Sequence, residues 1–165
     1  MTPTSWQEIQ KYWDSMEVKR QPSTNPRTEN DFYRAMGSIG LPVQEWWWFR
    51  FPDPPSDSNG RVQFGKVGRE WKLWWREKDG TCLAEDGEHK ERFANTSFFA
   101  FHQFLVLFDQ GYRNIQRDCP GDSGADWEKG DEIIEGMESE MRTADPKAFE
   151  NGEMFWPQML VDING

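Results

Sequence analysis

The sequence predicts an α+β fold in which helices pack on one face of an antiparallel β-meander of four to six strands. Three observations lead to this fold class. Apolar residues recur at helical spacing near both ends of the chain, the middle alternates at strand spacing, and Asn-Gly and Asp-Gly pairs interrupt the middle as hairpin turns do. A chain of 165 residues has the length of one domain, so residues 1–165 are expected to form a single domain.

Two helices are predicted first, over about 5–17 and about 28–38, with a loop over 19–28 between them. The apolar residues of the first helix are three or four positions apart: Trp6, Ile9, Trp13 and Met16. The second helix is expected to end at Gly37, Gly40 and Pro42, because glycine and proline do not continue a helix.

The strands of the meander follow. A strand over Glu45–Phe51 would place Trp47 on one face and Trp46 and Trp48 on the other. Further strands are expected over Arg61–Val67, Trp71–Trp75, from Cys82 to Ala84, and within Glu88–Phe93. The turns between strands are assigned to Asn59-Gly60, Gly68, Asp79-Gly80 and Asp86-Gly87.

The last part of the chain returns to helices. Ser97–Asp109 is almost entirely apolar, which predicts a central core helix buried on several faces. An amphipathic helix over about 125–142 is predicted to turn four residues inward: Trp127, Ile134, Met137 and Met141. Asp145-Pro146 predicts a helical turn, and Trp156-Pro157 predicts the start of a last helix with Met159, Leu160 and Ile163.

The charge is strongly acidic and concentrated in one segment. The net charge is −10, and residues 118–153 hold 12 acidic and 3 basic side chains. Five of the acidic residues share one face of the predicted acidic helix: Glu128, Asp131, Glu132, Glu135 and Glu138. This face is either a solvated surface that keeps the protein soluble or a docking surface for a basic partner. The charge excludes a generic nucleic-acid-binding role, which needs excess Lys and Arg.

The sequence gives little support for catalysis or for a bound metal. Gly121-Asp122-Ser123-Gly124 copies a serine-protease nucleophile motif, but a helix-entry loop with Ser123 near the N-cap explains it better. His89 is predicted to lie in a charged strand, and His102 in the core with a satisfied nitrogen. We therefore expect no enzyme activity, no metal and no cofactor.

The remaining composition bears on environment. Two cysteines, Cys82 in a half-buried strand and Cys119 in a loop, do not make a disulfide framework, which favours a reducing, cytoplasmic setting. No signal peptide or membrane helix is expected. The clusters Trp46–Trp48 and Trp74-Trp75 suit either a core or a sugar-stacking platform, and any exposed remainder would suit a protein contact.

The order of several segments resembles the SUKH superfamily, and most closely its fourth subfamily of bacterial immunity proteins. The resemblance covers about residues 36–163, and six segments carry it: Gly37–Pro42, Trp46–Phe51, Trp71–Trp75, Arg92–Ser97 leading into the apolar helix, the acidic helix, and Phe155–Pro157. Ala94 departs from the β-branched residue usual in the family, and the long acidic segment over 118–145 is a second difference.

The resemblance implies an immunity protein that binds a polymorphic toxin domain, commonly a nuclease or a nucleic-acid deaminase. We expect a monomer when free, which occludes a basic active site and contacts neither nucleic acid nor membrane. The acidic face is the expected toxin-binding surface, because a polyanion suits a cleft made for nucleic acid. The alternative is a protein-interaction or regulatory module of the same fold without a toxin partner.

Overall fold

A computed structural model describes residues 1–22, 29–43, 45–52, 55–121 and 123–164, and the predicted α+β architecture is confirmed. The described helices are α1 (Trp6–Ser15), α2 (Asp31–Ser38), α3 (Phe98–Asp118), α4 (Gly124–Ala144) and α5 (Phe155–Asn164), and a 3-10 turn spans Pro146–Phe149. The strands are β1 (Arg20–Gln21), β2 (Leu41–Pro42), β3 (Glu45–Trp46), β4 (Phe49–Arg50), β5 (Ser56–Ser58), β6 (Arg61–Val67), β7 (Trp71–Arg76), β8 (Cys82–Glu85) and β9 (Glu91–Asn95).

The main sheet is an antiparallel meander. Six strands pair in the order β3-β4-β6-β7-β8-β9, and β5 pairs with β6 beside this path. The turns predicted at Asn59-Gly60, Gly68 and Asp79-Gly80 form where expected, with positive φ at Asn59, Gly60, Gly68 and Gly80. The turn predicted at Asp86-Gly87 is longer than expected, because its positive φ falls on His89 and β9 begins only at Glu91. A bulge between Gln63 and Gly65 shifts the register of β6 against β7.

A small second sheet joins the ends of the first two helices. Part of the predicted loop over 19–28 forms β1, which pairs with β2, whereas residues 23–28 lie outside the described part of the chain. Gly40 precedes β2 with a φ of +70°, and a Cβ there would lie 2.4 Å from the carbonyl oxygen of Gln21. Only glycine fits this crossing without displacing the backbone.

The predicted strand over Glu45–Phe51 is wrong as a single element. The chain reverses at Trp47 and Trp48, so β3 and β4 form a tight hairpin in which Trp46 pairs with Phe49. Trp47 has a φ of +50°, a left-handed conformation that is uncommon for a bulky residue. The predicted alternation of the three tryptophans therefore does not apply, and the side chain of Trp46 lies outside the described part.

The central helix α3 is confirmed as the core of the domain. Every residue over 100–109 is buried, and the side chain of Ser97 caps the helix by accepting a hydrogen bond from the Ala100 amide. The helix continues nine residues beyond the predicted end at Asp109, and most of this added part is only half-buried or exposed.

His102 is in the core as predicted, but neither of its nitrogens has a hydrogen-bond partner among the described residues, so the predicted satisfied nitrogen is wrong. Its ring packs edge-on against Trp6 and Phe98. Because burial penalises the charged imidazolium, and Arg20 then repels it, the pKa of His102 is lowered to about 3.

A buried polar bridge joins the end of the sheet to the C-terminal helix. The Nε1–H of Trp156 donates to Oδ1 of Asn95 at 2.8 Å, and Nδ2 of Asn95 donates to Oδ2 of Asp145 at 3.2 Å. The Thr96 amide also donates to Oδ2 of Asp145, at 2.8 Å. These contacts fix β9, the 3-10 turn and α5 in one arrangement.

Candidate functional site

The N-terminus of α4 explains the protease-like motif. Oγ of Ser123 accepts a hydrogen bond from the Asp126 amide at 3.2 Å, and Oδ2 of Asp126 accepts one from the Ser123 amide at 3.3 Å. This reciprocal pair is a capping box, and the two side chains also contact each other. Ser123 is thus a helix cap as predicted, while Asp122 lies outside the described residues.

The inner face of α4 packs against α3. Ile134, Met137 and Met141 are buried, in agreement with the predicted stripe. At Gly111 of α3, an added Cβ would lie 2.7 Å from the sulfur of Met137, so the two helices approach closely at that point. The inward prediction is wrong for Trp127, whose side chain is 56% exposed in the first turns of the helix.

The outer face of α4 carries four exposed carboxylates, which we call the acidic face: Glu128, Asp131, Glu132 and Glu135. Among the described residues, none of the four forms an ion pair. Neighbouring members are three or four positions apart on the helix and repel one another. The negative charge of the acidic face is therefore not balanced by an ion pair with any described residue.

Glu138, the fifth predicted member, differs from the other four. It is partly buried and lies 2.6 Å from Arg142, whose guanidinium also sits over the ring of Phe149 and donates to that residue's carbonyl oxygen. The negative charge of Glu138 is therefore largely neutralised inside the protein, and we exclude Glu138 from the acidic face.

Of the two alternatives for Trp74-Trp75, a core or a sugar-stacking platform, the structure excludes the platform. Trp75 is buried in the core, where it stacks on Phe32 at 4.5 Å between ring centroids. Trp74 points to the other side of the sheet, but the guanidinium of Arg61 covers it at 4.0 Å. Neither ring presents a free face to a sugar.

A buried carboxylate holds the tight turn of the β3–β4 hairpin. Asp109 of α3 accepts hydrogen bonds from Nε1 of Trp47 at 2.9 Å, from the hydroxyl of Tyr12 at 2.7 Å and from Nε of Arg113 at 2.7 Å. Burial, and then the bond to Asp109, raise the pKa of Tyr12 well above its ordinary value. This network was not predicted from the sequence. An acidic residue four positions before an arginine, at the end of an apolar run, could have indicated the ion pair within it.

The turn presents Trp48 at the surface, where it is 37% exposed and separates two hollows. The first, of about 270 Å³, lies between Trp48, Trp71 and Met159. The second, of about 210 Å³, lies between Trp48, Tyr112, Ile115, Cys119, Trp127 and Ile134, and we call it the Trp48–Trp127 hollow.

Other chemistry is sparse in the described part of the chain. It contains no cluster of three or more His, Cys, Asp or Glu residues suited to a metal ion. Cys82 is fully buried rather than half-buried, and burial raises the pKa of its thiol. His89 lies in the turn before β9 rather than in a strand, where its Nδ1 contacts Glu85 at 3.1 Å. None of the described helices is long and apolar enough to span a membrane.

Comparisons with known proteins identify the family. Searches of curated proteins and of solved structures returned no significant match. Residues 21–162 match the sequence model of the SUKH-4 immunity protein family. This match covers most of the 165-residue chain, including every strand of the main sheet and the whole of α4. The chain therefore belongs to the SUKH-4 immunity protein family, which assigns it a role in toxin immunity.

Proposed function

We propose that the protein binds a cognate toxin domain that acts on nucleic acid, a nuclease or a deaminase, and neutralises it by covering its basic active site with the acidic face of α4. Because such a toxin acts where nucleic acid is, we place the encounter in the cytoplasm, with a free monomer as the binding form. The role is that of a stoichiometric binder rather than an enzyme.

The observation that carries the proposal is the acidic face itself. Four exposed carboxylates that form no ion pair with any described residue lie on one side of a 21-residue helix whose other side is fixed to the core. Their mutual repulsion costs helix stability, by a few tenths of a kcal/mol for each adjacent pair. A partner with a row of basic groups removes this repulsion on binding, whereas solvent only screens it.

The same charge also favours rapid capture. Long-range attraction between an acidic surface and a basic cleft raises the association rate and makes it depend strongly on salt. Rapid capture matters for an immunity protein, because an unbound toxin damages the cell during the delay.

The first test is survival of cells that express the C-terminal domain encoded by the neighbouring upstream reading frame, with and without this protein. Rescue that requires this protein supports the proposed role. If the domain kills equally in both cases, or is harmless alone, the alternative of a general interaction module replaces it.

The second test measures association at low salt by stopped-flow mixing. The triple variant E128K/E132K/E135K reverses the charge of three residues on the acidic face. The control, E17K/E88K/E150K, reverses the charge of three exposed glutamates elsewhere on the protein. Both variants have the same net charge. We expect the first to associate at least about 10-fold more slowly with a flatter salt dependence, and the control to stay near the wild-type rate. Equal rates for the two variants would reject the acidic face as the toxin contact.

A further inference from the structure

Trp127 is a large aromatic residue that the packing of the described residues leaves mostly exposed. It lies in the first turns of α4 with 56% of its side chain exposed, and it makes no ring contact with any described aromatic residue. A large exposed aromatic side chain at the edge of a charged surface is typical of an energetic anchor in a protein interface.

The opposite wall of the hollow is fixed in advance. Trp48 meets Tyr112 and Phe108 edge-on at 5.2 and 6.0 Å between ring centroids, and its carbonyl oxygen accepts from the Gly68 amide at 2.9 Å. The preceding residue, Trp47, is held in its left-handed conformation by the bond to Asp109. Binding in this hollow therefore costs little ordering of the protein.

The charge around the hollow selects a cation. The described residues that line it include one carboxylate, Asp126, and no Lys or Arg. One oxygen of that carboxylate, Oδ2, is the capping-box acceptor. Glu128 directly follows Trp127, and Asp131 lies one turn further along α4, so the acidic face begins at the rim. Aromatic rings with carboxylates nearby suit a guanidinium group, which can stack on the rings and pair with the carboxylates.

Among the described residues the protein uses the same combination internally at three places. Arg113 sits over Trp47 at 5.8 Å while pairing with Asp109. Arg61 sits over Trp74 at 4.0 Å while pairing with Glu85 and Glu91. Arg142 sits over Phe149 at 4.7 Å while pairing with Glu138. The Trp48–Trp127 hollow has the rings and the carboxylates of this arrangement. The arginine is missing, because none of the described residues that line the hollow is an arginine.

We propose that the Trp48–Trp127 hollow binds an arginine side chain from the basic surface of the toxin, stacked on the tryptophan rings beside the acidic face. This inference rests on the proposed function and adds a specific contact to it. The acidic face sets how quickly the toxin arrives, and the seated arginine sets how slowly it leaves.

The test measures dissociation of the same upstream-encoded toxin domain, purified as a complex with this protein, separated in denaturant and refolded. We expect W127A to dissociate about 30-fold faster than wild type with an unchanged association rate, because buried aromatic anchors contribute at this level. V161A, which removes an exposed apolar side chain from α5, is the control and should match wild type. Thermal unfolding of each variant separates loss of contact from loss of fold.

Two further variants identify the occupant. W127F should keep part of the affinity because a phenyl ring still stacks on a guanidinium, whereas W127L should dissociate as quickly as W127A. If W127L keeps the wild-type dissociation rate, the occupant is an apolar side chain and the arginine assignment is wrong. If wild type alone forms a dimer that W127A abolishes, a second copy of the chain fills the hollow instead.

Cys119 provides a readout without any substitution. It lines the hollow and is half-exposed, whereas Cys82 is buried, so iodoacetamide should modify Cys119 alone in the folded protein. Bound toxin should protect Cys119 from alkylation. Tight toxin binding with neither protection nor a W127A effect overturns this inference and leaves the proposed function standing. Absence of toxin binding by wild type overturns both.

Discussion

His102 shows how one buried residue can set the acid sensitivity of a whole domain. Its pKa of about 3 lies far below the ordinary value near 6.5. Between these two values the unfolded chain binds a proton at this residue that the folded protein does not bind. The stabilising contribution of the neutral ring is therefore complete above pH 6.5 and is lost as the pH falls from 6.5 towards 3.

The variant H102L should remove this dependence. Between pH 7.5 and 5.0, wild type should lose about 2 kcal/mol more free energy of unfolding than H102L, as measured by urea unfolding at both pH values. Since neither nitrogen of His102 has a described hydrogen-bond partner, leucine breaks no described polar contact. The control is H89Q, because His89 is 76% exposed at the surface. An identical pH dependence for wild type and H102L would contradict this account.

At the scale of elements, α4 combines a stabilised N-terminus with an outer surface on which like charges repel. Its capping box stabilises the first turn, whereas its acidic face places like charges three and four positions apart. A helix selected for stability alone would interleave lysines on this face. Under the proposed function, a basic toxin surface removes this repulsion on binding.

The variant E132K should reveal this conflict. The introduced lysine would follow Glu128 at the favourable i,i+4 spacing and precede Glu135 at i,i+3, so we expect about 0.5 kcal/mol of added stability at low salt. The same change should slow association with the toxin. E88K serves as a matched surface control, since Glu88 is exposed and outside any helix. Lower stability for E132K, measured by urea unfolding, would show that repulsion does not limit α4.

The elements themselves differ in how far the sequence determines them. Helix caps such as Ser97 and turn pairs such as Asn59-Gly60 act through local hydrogen bonds and backbone preference, so their positions were predictable. The reversal at Trp47 has no such local cause, because its conformation depends on Asp109, sixty-two positions away. The polar second half of α3 lacks an apolar repeat, and its extent depends on packing against α4.

At the scale of the whole molecule, the Asn95 bridge joins the sheet to the last helix through buried hydrogen bonds. Both Trp156 and Asp145 depend on the one amide side chain for a hydrogen bond, and all three residues are buried. Removing the amide leaves the Trp156 donor unpaired and takes one donor from the Asp145 carboxylate. Unpaired buried groups of this kind each cost about 1–3 kcal/mol.

The variant N95A should therefore lose about 3 kcal/mol of stability, yet still unfold in one transition seen alike by circular dichroism and tryptophan fluorescence. N151A, at an exposed position, should lose less than about 1 kcal/mol. One transition is expected because the ring of Trp156 also packs against core phenylalanines. Two separate transitions in N95A would mean that the Asn95 bridge alone couples α5 to the sheet.

Only the part of the candidate site that lies on a single helix could be predicted from the sequence. The acidic face lies on one helix, so helical spacing alone located four of its residues and added Glu138, which an arginine neutralises. The Trp48–Trp127 hollow is assembled from β3–β4, α3 and α4, and no local pattern relates these segments. Helical periodicity placed Trp127 on the inner face of α4, and the sequence therefore predicted it in the core. Periodicity cannot show that the first turns of a helix extend beyond the surface against which the rest of it packs.

The two sides of α4 share no residue. Ile134, Met137 and Met141 attach the helix to α3, while Glu128, Asp131, Glu132 and Glu135 face solvent and contribute no described contact to the fold. Substitutions on the outer side can therefore accumulate in descendant proteins without loss of the scaffold. Under the proposed function, a lineage with this arrangement can match a changing toxin by altering a few surface positions, and each intermediate should remain a folded protein.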